Sequence, residues 1–523
     1  MRINGPISVL ITLLLVCAVH GVVSVKGLTF PPDLDALRDI GFTQGILDGN
    51  WFGDPSYAGA VRYYPPLMPA IVAAFAKLTQ WRDLPGLWVT AGPLLGLIPV
   101  ITLFVFCREL AGPAAAASAA MVFVFWNSAT TDPWIGGGYA PWLLVPLAGQ
   151  SFFLLTATVI VRSITRPNVL NALLIGLLGG ITFLFHAVPG ILVTGILTVA
   201  AFCLNGLTLR TLGWLALAAV PQTIVMSAYL GPLLLAYPGG VVNTVPEGWT
   251  ASVFENSALG GLGVILLNVP VIVGAAYFRR RDLRNPDIAI FFVPWIALCI
   301  FEIIRHYVCS LISGVGLACR IAYVPVHHYH LYLQVAGACL LGIATWGFVR
   351  RRYAQPRFVL LVVLMLAIGS AGLFLRPYDR DIRAARLKEG GTETFDLAAY
   401  RFILAETPPD ALFVTPLGGA PDDPFDPGGF AVMAAGRKLV ATHVLFSNPY
   451  VDWSEREKRR LHLDRWLRGG DPPADCVAVR TGLWAILENQ AQVVENMADL
   501  VFRSPTHAIF RIRDARLQCS RMH

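Results

Sequence analysis

The sequence has little charge. Asp, Glu, Lys and Arg together make up 14% of its 523 residues, and hydrophobic residues make up 55%. Soluble proteins carry roughly 25% charged residues, so this composition excludes a soluble enzyme, a disordered chain and a fibrous protein. The apolar residues come in runs of about 18 to 25, and a helix needs about 20 to cross a bilayer. The sequence therefore predicts a polytopic α-helical membrane protein.

The sequence also lacks cysteines spaced as metal ligands. Its nine cysteines lie at least ten residues apart, whereas paired zinc ligands are about two to four residues apart. The net charge of +7 does not indicate a nucleic-acid partner either. The excess basic residues lie in short loops beside the apolar runs, where membrane orientation explains them. Neither a cysteine metal site nor nucleic-acid binding is predicted.

Eleven apolar runs have the length of membrane spans. The first, 6–25, is interpreted as an uncleaved anchor rather than a signal peptide, because it is long and many spans follow. The segment 64–80 is shorter, begins with prolines and carries Lys77 near its end, so we expect an interfacial helix on the outer face. The other ten runs are 87–107, 111–128, 141–161, 168–186, 188–205, 211–230, 259–278, 287–304, 331–349 and 358–376.

The distribution of arginine supports this count, because basic residues in short loops favour the cytoplasm. If 64–80 does not span, the short outer loops hold only Arg305 and Arg320. Residues 1–376 then form a transmembrane domain in the cytoplasmic membrane, with outer loops 26–86 and 128–140. Everything after about residue 377 lies outside the cytoplasm by the same rule.

Residues 377–523 have the charge and periodicity of a soluble domain. The pattern predicts helices at 394–406 and 453–468, a strand at 412–416 and a hairpin over 499–513. The C-terminal part is therefore expected to be a small extracytoplasmic α/β domain.

Three acidic residues closely follow the first span. Asp33, after two prolines, has the pattern of a helix N-cap. Asp35 and Asp39 are four residues apart, so a helix places both carboxylates on one face. Repulsion between them raises a pKa, which suits a proton acceptor. We predict that the three aspartates include the catalytic acid-base group and that Arg38, among them, binds substrate.

A fourth acid, Asp132, lies in the second outer loop and precedes Pro133, Trp134 and three glycines. Glycine permits close backbone approach, and the aromatic ring offers a face on which a sugar can stack. A membrane-surface turn with interfacial tryptophans explains the same residues. Both interpretations of Asp132 remain open at this point.

Basic side chains precede the tenth span. Arg305, Arg320, His327, His328 and His330 are donors suited to a phosphate group. A metal centre is not favoured, because His327 and His330 share a helix face without a fixed third ligand. An interfacial loop whose histidines bind lipid headgroups is the alternative. Arg305 also lies three residues after Glu302, a spacing typical of a local ion pair.

This layout resembles the GT-C superfamily of membrane glycosyltransferases that use polyprenyl-phosphate sugars. The resemblance rests on the acidic motif after the first span, on the YYPPL element that begins at Tyr63 and Tyr64, and on Asp132. The tail is similar to the outer soluble domain of several bacterial members. The sequence lacks the Asp-Glu pair of the mannosyltransferases and the WWDYG-type motif of the oligosaccharyltransferases. These absences argue against protein O-mannosylation and N-glycosylation, and no subfamily is identified.

The resemblance implies an inverting hexosyl or pentosyl transferase. Its carboxylate, by position Asp35, would deprotonate a hydroxyl of a glycan, lipid or protein acceptor, which displaces polyprenyl phosphate from the anomeric carbon. Tyr63 and Tyr64 would contact substrate, while the arginines and histidines would stabilise the departing phosphate. The lipid tail would lie in a groove between spans. A divalent ion, Mg or Mn, bridging Asp35, Asp132 and the phosphate is left open.

Two other classes of protein share this composition. A transporter or lipid flippase typically carries ionisable residues or broken helices near the bilayer midplane, often in repeated halves. Here midspan charges are nearly absent, no half-repeat is visible, and the acids gather on one face, which favours the enzyme. A glycan-binding membrane protein without activity would have the same fold, and the sequence leaves that alternative open.

Overall fold

The structure is a computed structural model of the chain. It describes residues 5–127, 138–242, 269–274, 286–311, 326–352, 355–374, 395–415, 427–442, 446–470, 482–489 and 498–513. The helices are α1 (Gly5–Val25), α2 (Leu34–Leu47), α3 (Leu67–Thr79), α4 (Leu84–Leu95), α5 (Ile98–Ala111), α6 (Pro113–Met121), α7 (Val145–Ser163), α8 (Val169–Phe185), α9 (Ala187–Asn205), α10 (Leu209–Ala236), α11 (Pro286–Leu311), α12 (Val326–Arg352), α13 (Gln355–Phe374), α14 (Leu397–Glu406), α15 (Pro427–Ala434) and α16 (Trp453–Leu467). The strands are β1 (Leu412–Val414), β2 (Lys438–Leu439), β3 (Leu483–Glu488), β4 (Ala498–Arg503) and β5 (His507–Ile512).

The long helices confirm the predicted membrane protein. Within the described part of the chain, seven helices or joined helix pairs are long and apolar enough to cross a bilayer. Helices occupy ten of the predicted apolar runs, and in the eleventh, 259–278, the described residues 269–274 are also helical. The exposed side chains of α1 at Ile7, Ile11, Leu15 and Val19 form an apolar stripe, as a lipid-facing helix requires. The total of eleven spans stays a prediction.

The chain divides into two compact units. Unit 1 comprises residues 1–27, 89–231 and 250–382, and unit 2 comprises residues 28–88, 232–249 and 383–523. Most of the first outer loop is therefore grouped with the C-terminal residues. The domain boundary predicted at residues 376 and 377 lies outside the described residues and stays a prediction.

Small residues allow close helix packing inside unit 1. A Cβ atom at Gly342 of α12 would overlap the backbone of Ala119 in the alanine-rich α6. A π-helical segment, Val122–Asn127, continues α6, and the Asn127 side-chain amide donates to the carbonyl of Gln334 at 3.1 Å. Small residues bring membrane helices close enough for backbone contact, so this crossing needs the glycine.

The C-terminal part of unit 2 contains a five-stranded mixed sheet with the order β2-β1-β3-β5-β4. Strands β1, β2 and β3 are parallel, whereas β4 and β5 form the predicted antiparallel hairpin. The helices α14 and α16 and the strand β1 also lie where the sequence predicts them. The small α/β domain is confirmed, although β2, β3 and α15 were not predicted.

The segment predicted as an interfacial helix forms α3 in unit 2. It begins at Leu67, directly after Pro65 and Pro66, and extends 13 residues, about 20 Å at 1.5 Å per residue. That length is too short for a hydrocarbon core about 30 Å thick. The exposed side chains of Ile71, Phe75 and Leu78 share one face of α3. The position of α3 at the membrane surface stays a prediction.

Candidate active site

The three aspartates after the first span lie at the beginning of α2. Asp33 is the N-cap, because its backbone is extended and its Oδ1 accepts a hydrogen bond from the Asp35 backbone N–H at 2.8 Å. This is the role predicted from the two prolines before it. The second oxygen, Asp33 Oδ2, is buried without a hydrogen-bond partner among the residues that the structure describes.

Arg38 lies between the carboxylates of Asp35 and Asp39. Its Nη1 donates to Asp35 Oδ1 at 2.9 Å, and its Nε and Nη2 donate to Asp39 Oδ1 at 3.1 and 3.0 Å. Side-chain exposure is 8% for Arg38, 3% for Asp39 and 31% for Asp35. The guanidinium therefore fixes both acids in place, and Asp35 is the one that solvent and a substrate can reach.

Aromatic rings surround this group. The guanidinium of Arg38 lies over the ring of Tyr64, 4.1 Å from its centroid, in the geometry of a cation–π contact. Phe42, one turn after Arg38 on α2, stacks on Tyr64 with the ring centroids 6.3 Å apart, and Tyr63 meets both rings edge to face. Arg62 covers the ring of Phe42 at 4.7 Å. The predicted substrate residues Tyr63 and Tyr64 are thus brought together with the aspartates.

Burial dominates the electrostatics of the acids. It raises the pKa of Asp39 to about 7, although the charge of Arg38 acts in the opposite direction. Burial and the neighbouring charge of Asp35 likewise raise the pKa of Asp33 to about 7. Burial lowers the pKa of Arg38, but the charges of Asp35 and Asp39 outweigh it and raise that pKa well above its ordinary value. Burial also raises the pKa of Tyr63 and Tyr64, so both phenols stay protonated near neutral pH.

Residues far along the chain hold the segment that leads to the tyrosines. The carboxylate of Asp54 accepts from the Asn448 side-chain amide at 2.8 Å, and the Asp54 carbonyl accepts from Lys438 Nζ at 2.6 Å. The same amide of Asn448 donates to the carbonyl of Val61 at 2.9 Å. Because all these groups are buried or half-buried in unit 2, they fix the backbone just before Tyr63.

The other predicted site residues lie elsewhere in the chain. Asp132 and Arg320 are outside the described residues, and His327 is described only as part of helix α12. His328 and His330 are buried in the first turns of α12. Arg305 Nε donates to Glu302 Oε2 at 2.7 Å, which is the local ion pair that their spacing indicates. The structure brings together Asp33, Asp35, Arg38, Asp39, Tyr63 and Tyr64.

The divalent ion left open from the sequence would bridge Asp35 and Asp132, and Asp132 lies outside the described residues. An Mg or Mn ion needs several oxygen ligands around one point. Here the guanidinium of Arg38 already occupies the space between Asp35 and Asp39. The described part of the chain also contains no group of three side chains suited to hold a metal.

Two contributors to the site are missing from the sequence prediction. Phe42 and Arg62 were not singled out, although Phe42 follows Arg38 by four residues and Arg62 directly precedes the two tyrosines. Helical spacing is a signal that could have found Phe42, since residues four apart on a helix are neighbours. Arg62 is recognised only in the fold, where its Nη2 donates to the Phe42 carbonyl at 3.3 Å.

Comparison with known proteins identifies the fold. No family model and no curated protein matches this sequence. The crystal structure of ArnT from Cupriavidus metallidurans bound to undecaprenyl phosphate is similar, with a TM-score of 0.57 and 12% identity over 98% of this chain and 99% of that chain. The archaeal oligosaccharyltransferase AglB from Archaeoglobus fulgidus, in complex with an inhibitory peptide and a dolichol-phosphate, gives a TM-score of 0.48 and 12% identity over 92% of this chain and 69% of AglB. The likeness to ArnT confirms the expected GT-C fold, and at this identity it concerns the fold alone.

Proposed function

We propose that this chain, which has the GT-C fold, transfers a sugar from a polyprenyl-phosphate donor to a cell-envelope acceptor in one inverting step. The observation that carries the proposal is the group formed by Asp35, Arg38 and Asp39. A buried guanidinium fixes two carboxylates, one of which remains accessible. A fold alone does not define an activity, so the assignment depends on this site.

Asp35 is the proton acceptor in this mechanism. Its Oδ1 is held by Arg38, and its Oδ2 accepts no hydrogen bond from a described residue, so that oxygen is available to the acceptor hydroxyl. Asp35 takes the hydroxyl proton while the hydroxyl oxygen forms a bond to the anomeric carbon. The bond from that carbon to the phosphate oxygen breaks, and its electron pair leaves with the polyprenyl phosphate.

Arg38 and the aromatic residues have positioning roles. Arg38 holds the Asp35 carboxylate in one orientation, and a positioned base is worth far more than a mobile one. Tyr63 and the edge of Tyr64 would contact the apolar side of a sugar ring, since Arg38 and Phe42 lie against the faces of Tyr64. The negative charge that develops on the leaving phosphate would be stabilised by basic side chains. The residues proposed for this role are Arg305, Arg320, His327, His328 and His330.

The proposed location is the outer face of the cytoplasmic membrane, with residues 377–523 outside the cytoplasm. The charge bias of the short loops supports this orientation. A compartment-specific reporter fused after Ser370, near the end of α13, is expected to register outside the cytoplasm. A cytoplasmic signal would overturn both the orientation and the span count.

The proposal is tested with the full chain reconstituted in nanodiscs with a polyprenyl-phosphate sugar and candidate acceptors. Asp35→Asn is expected to abolish transfer, measured as release of polyprenyl phosphate, while the purified yield and melting temperature stay unchanged. Asp499→Asn is the matched control, since Asp499 is exposed and pairs with Arg513 on the surface. Undiminished release by Asp35→Asn would remove Asp35 from the mechanism. Donor binding without any release by the wild type would favour a glycan-binding protein.

A further inference from the structure

Three membrane helices of unit 1 begin at the same end of the bundle. A Cβ atom at Gly149 of α7 would lie 2.8 Å from the Cβ of His186, the residue between α8 and α9. The ring of His186 contacts that of His328 in α12, with the centroids 4.3 Å apart. The N-termini of α7, α9 and α12 therefore lie side by side.

A second contact fixes the direction and depth of two of these helices. Phe153 of α7 meets Tyr332 of α12 edge to face, with the ring centroids 5.3 Å apart. Phe153 lies four positions after Gly149, and Tyr332 lies four positions after His328. Since Gly149 and His328 both lie against His186, α7 and α12 run parallel. Gln150, three residues before Phe153, lies on the same side of α7 and at the depth of His328.

Gln150 is the unusual member of this group. It is fully buried in a membrane-spanning helix, and both its Oε1 and its Nε2 have no hydrogen-bond partner among the described residues. An unsatisfied amide in an apolar environment costs several kcal/mol, so such a side chain is retained where a ligand or partner satisfies it. We use the name N-terminal pocket for the three buried residues Gln150, His186 and His328 at this end of the bundle.

The charge of the N-terminal pocket favours an anion. Each helix N-terminus carries roughly half a positive charge and unsatisfied N–H groups. Among the described residues, no side chain caps the N-terminus of α7 or α9. Glu302 of α11, which interacts with Tyr329 next to His328, is neutralised by Arg305 at 2.7 Å. The pocket thus presents donors and partial positive charge without an uncompensated acid among the residues that the structure describes.

We infer that the N-terminal pocket binds a phosphate group carried by a membrane lipid, with Gln150 Nε2 and the imidazoles of His186 and His328 as donors. A lipid-linked phosphate is favoured over free phosphate because all three helices have the length and composition of membrane spans. The inference rests on the proposed function in naming polyprenyl phosphate as this lipid. His186 and Gln150 are new to the site, whereas His328 was predicted from the sequence.

The test of this inference measures the binding of undecaprenyl phosphate and not the transfer of sugar. The full chain in nanodiscs is titrated with undecaprenyl phosphate, and the dissociation constant is measured by native mass spectrometry. Gln150→Leu is expected to weaken binding about tenfold or more, since a hydrogen bond to a charged group is lost. Gln150→Glu, of the same shape, should weaken it further by repulsion. Gln222→Leu is the matched control, because Gln222 is a buried membrane amide that donates to Thr194 at 2.6 Å; its binding should equal that of the wild type.

Competition identifies the source of the phosphate. The assignment is supported if excess undecaprenyl phosphate displaces labelled undecaprenyl phosphate from the protein, while inorganic phosphate and phosphatidylglycerol do not. Displacement by inorganic phosphate at similar concentrations would mean a free-phosphate site, and displacement by phosphatidylglycerol would mean a general headgroup site; each overturns the lipid named here. Wild-type binding by both Gln150 variants would overturn the pocket itself. Normal wild-type binding without sugar transfer would instead overturn only the proposed function.

Discussion

Arg437, which is buried, pairs with the partly exposed Asp48, 389 positions away in the sequence, with Nη1 of the arginine 2.9 Å from Oδ2 of the aspartate. Asp48 is the C-cap of α2, the helix that carries Asp35, Arg38 and Asp39. Arg437 also donates to the carbonyl of Thr407 at 3.0 Å. The C-terminal elements of unit 2 therefore hold the end of the helix on which the candidate active site is built.

The first prediction concerns this pair. Arg437→Met removes a buried guanidinium that donates to Asp48 and to the Thr407 carbonyl, so the free energy of unfolding should fall by about 1 to 3 kcal/mol as these hydrogen bonds are lost. Thermal or denaturant unfolding in detergent measures the loss. Arg468→Met is the matched control, because Arg468 pairs with Asp464 on the surface, where such pairs contribute about 0 to 1 kcal/mol. Equal losses in the two variants would show that the Arg437 pair does not anchor α2.

The second prediction is a pH dependence of stability. In the folded chain the pKa of Asp39 is raised to about 7, whereas an aspartate in an unfolded chain titrates near 3.9. Between about pH 4 and pH 7 the folded state keeps a proton that the unfolded state has released, so the free energy of unfolding falls as the pH rises. Asp33, whose pKa is also raised to about 7, adds a change of the same sign.

Asp39→Asn tests the Asp39 part of this effect. The variant has no titrating group at the position, so its melting temperature should decline less between pH 4.5 and pH 7 than that of the wild type. Asp499→Asn, at an exposed position, should reproduce the wild-type profile. Parallel profiles for wild type and Asp39→Asn would contradict a raised pKa at Asp39.

The third prediction separates the ring of Tyr64 from its hydroxyl. Tyr64→Phe keeps an aromatic face 4.1 Å from the Arg38 guanidinium and should retain most of the transfer activity. Tyr64→Leu removes the cation–π contact, worth about 0.5 to 2 kcal/mol, so the turnover rate should fall roughly 2- to 30-fold as Arg38 loses its fixed orientation. If Phe and Leu reduce turnover equally, the hydroxyl rather than the ring face is what Tyr64 contributes.

The local part of the candidate site follows from the sequence. The two prolines before Asp33 predict the N-cap that the structure contains, and the spacing of Asp35 and Asp39 predicts the shared face on which Arg38 lies. These relationships involve neighbours within one or two helical turns, where backbone geometry alone fixes which side chains meet.

The long-range part does not follow from the sequence. The pair of Arg437 and Asp48, and the parallel pairing of β1 with β3, join segments whose approach depends on the whole fold. His186 gives no signal in the chain either, because a single histidine between two apolar runs has the same pattern whether or not another imidazole packs against it. Contacts between distant segments carry no local periodicity, which is the signal that sequence patterns provide.

The last prediction concerns the crossing of α6 and α12 in unit 1. Gly342→Ala places a methyl group against the backbone of Ala119, and because neither backbone can move without separating the two helices, the variant should lose about 1 to 3 kcal/mol of stability. Gly372→Ala is the matched control in α13, since a Cβ at Gly372 meets no atom of a described residue within 4 Å. There the higher helix propensity of alanine than of glycine should leave stability unchanged or slightly higher. Both variants are measured by thermal unfolding in the same detergent. A Gly342→Ala protein as stable as Gly372→Ala would mean that the helices can separate at little cost, and that this crossing does not set the packing of unit 1.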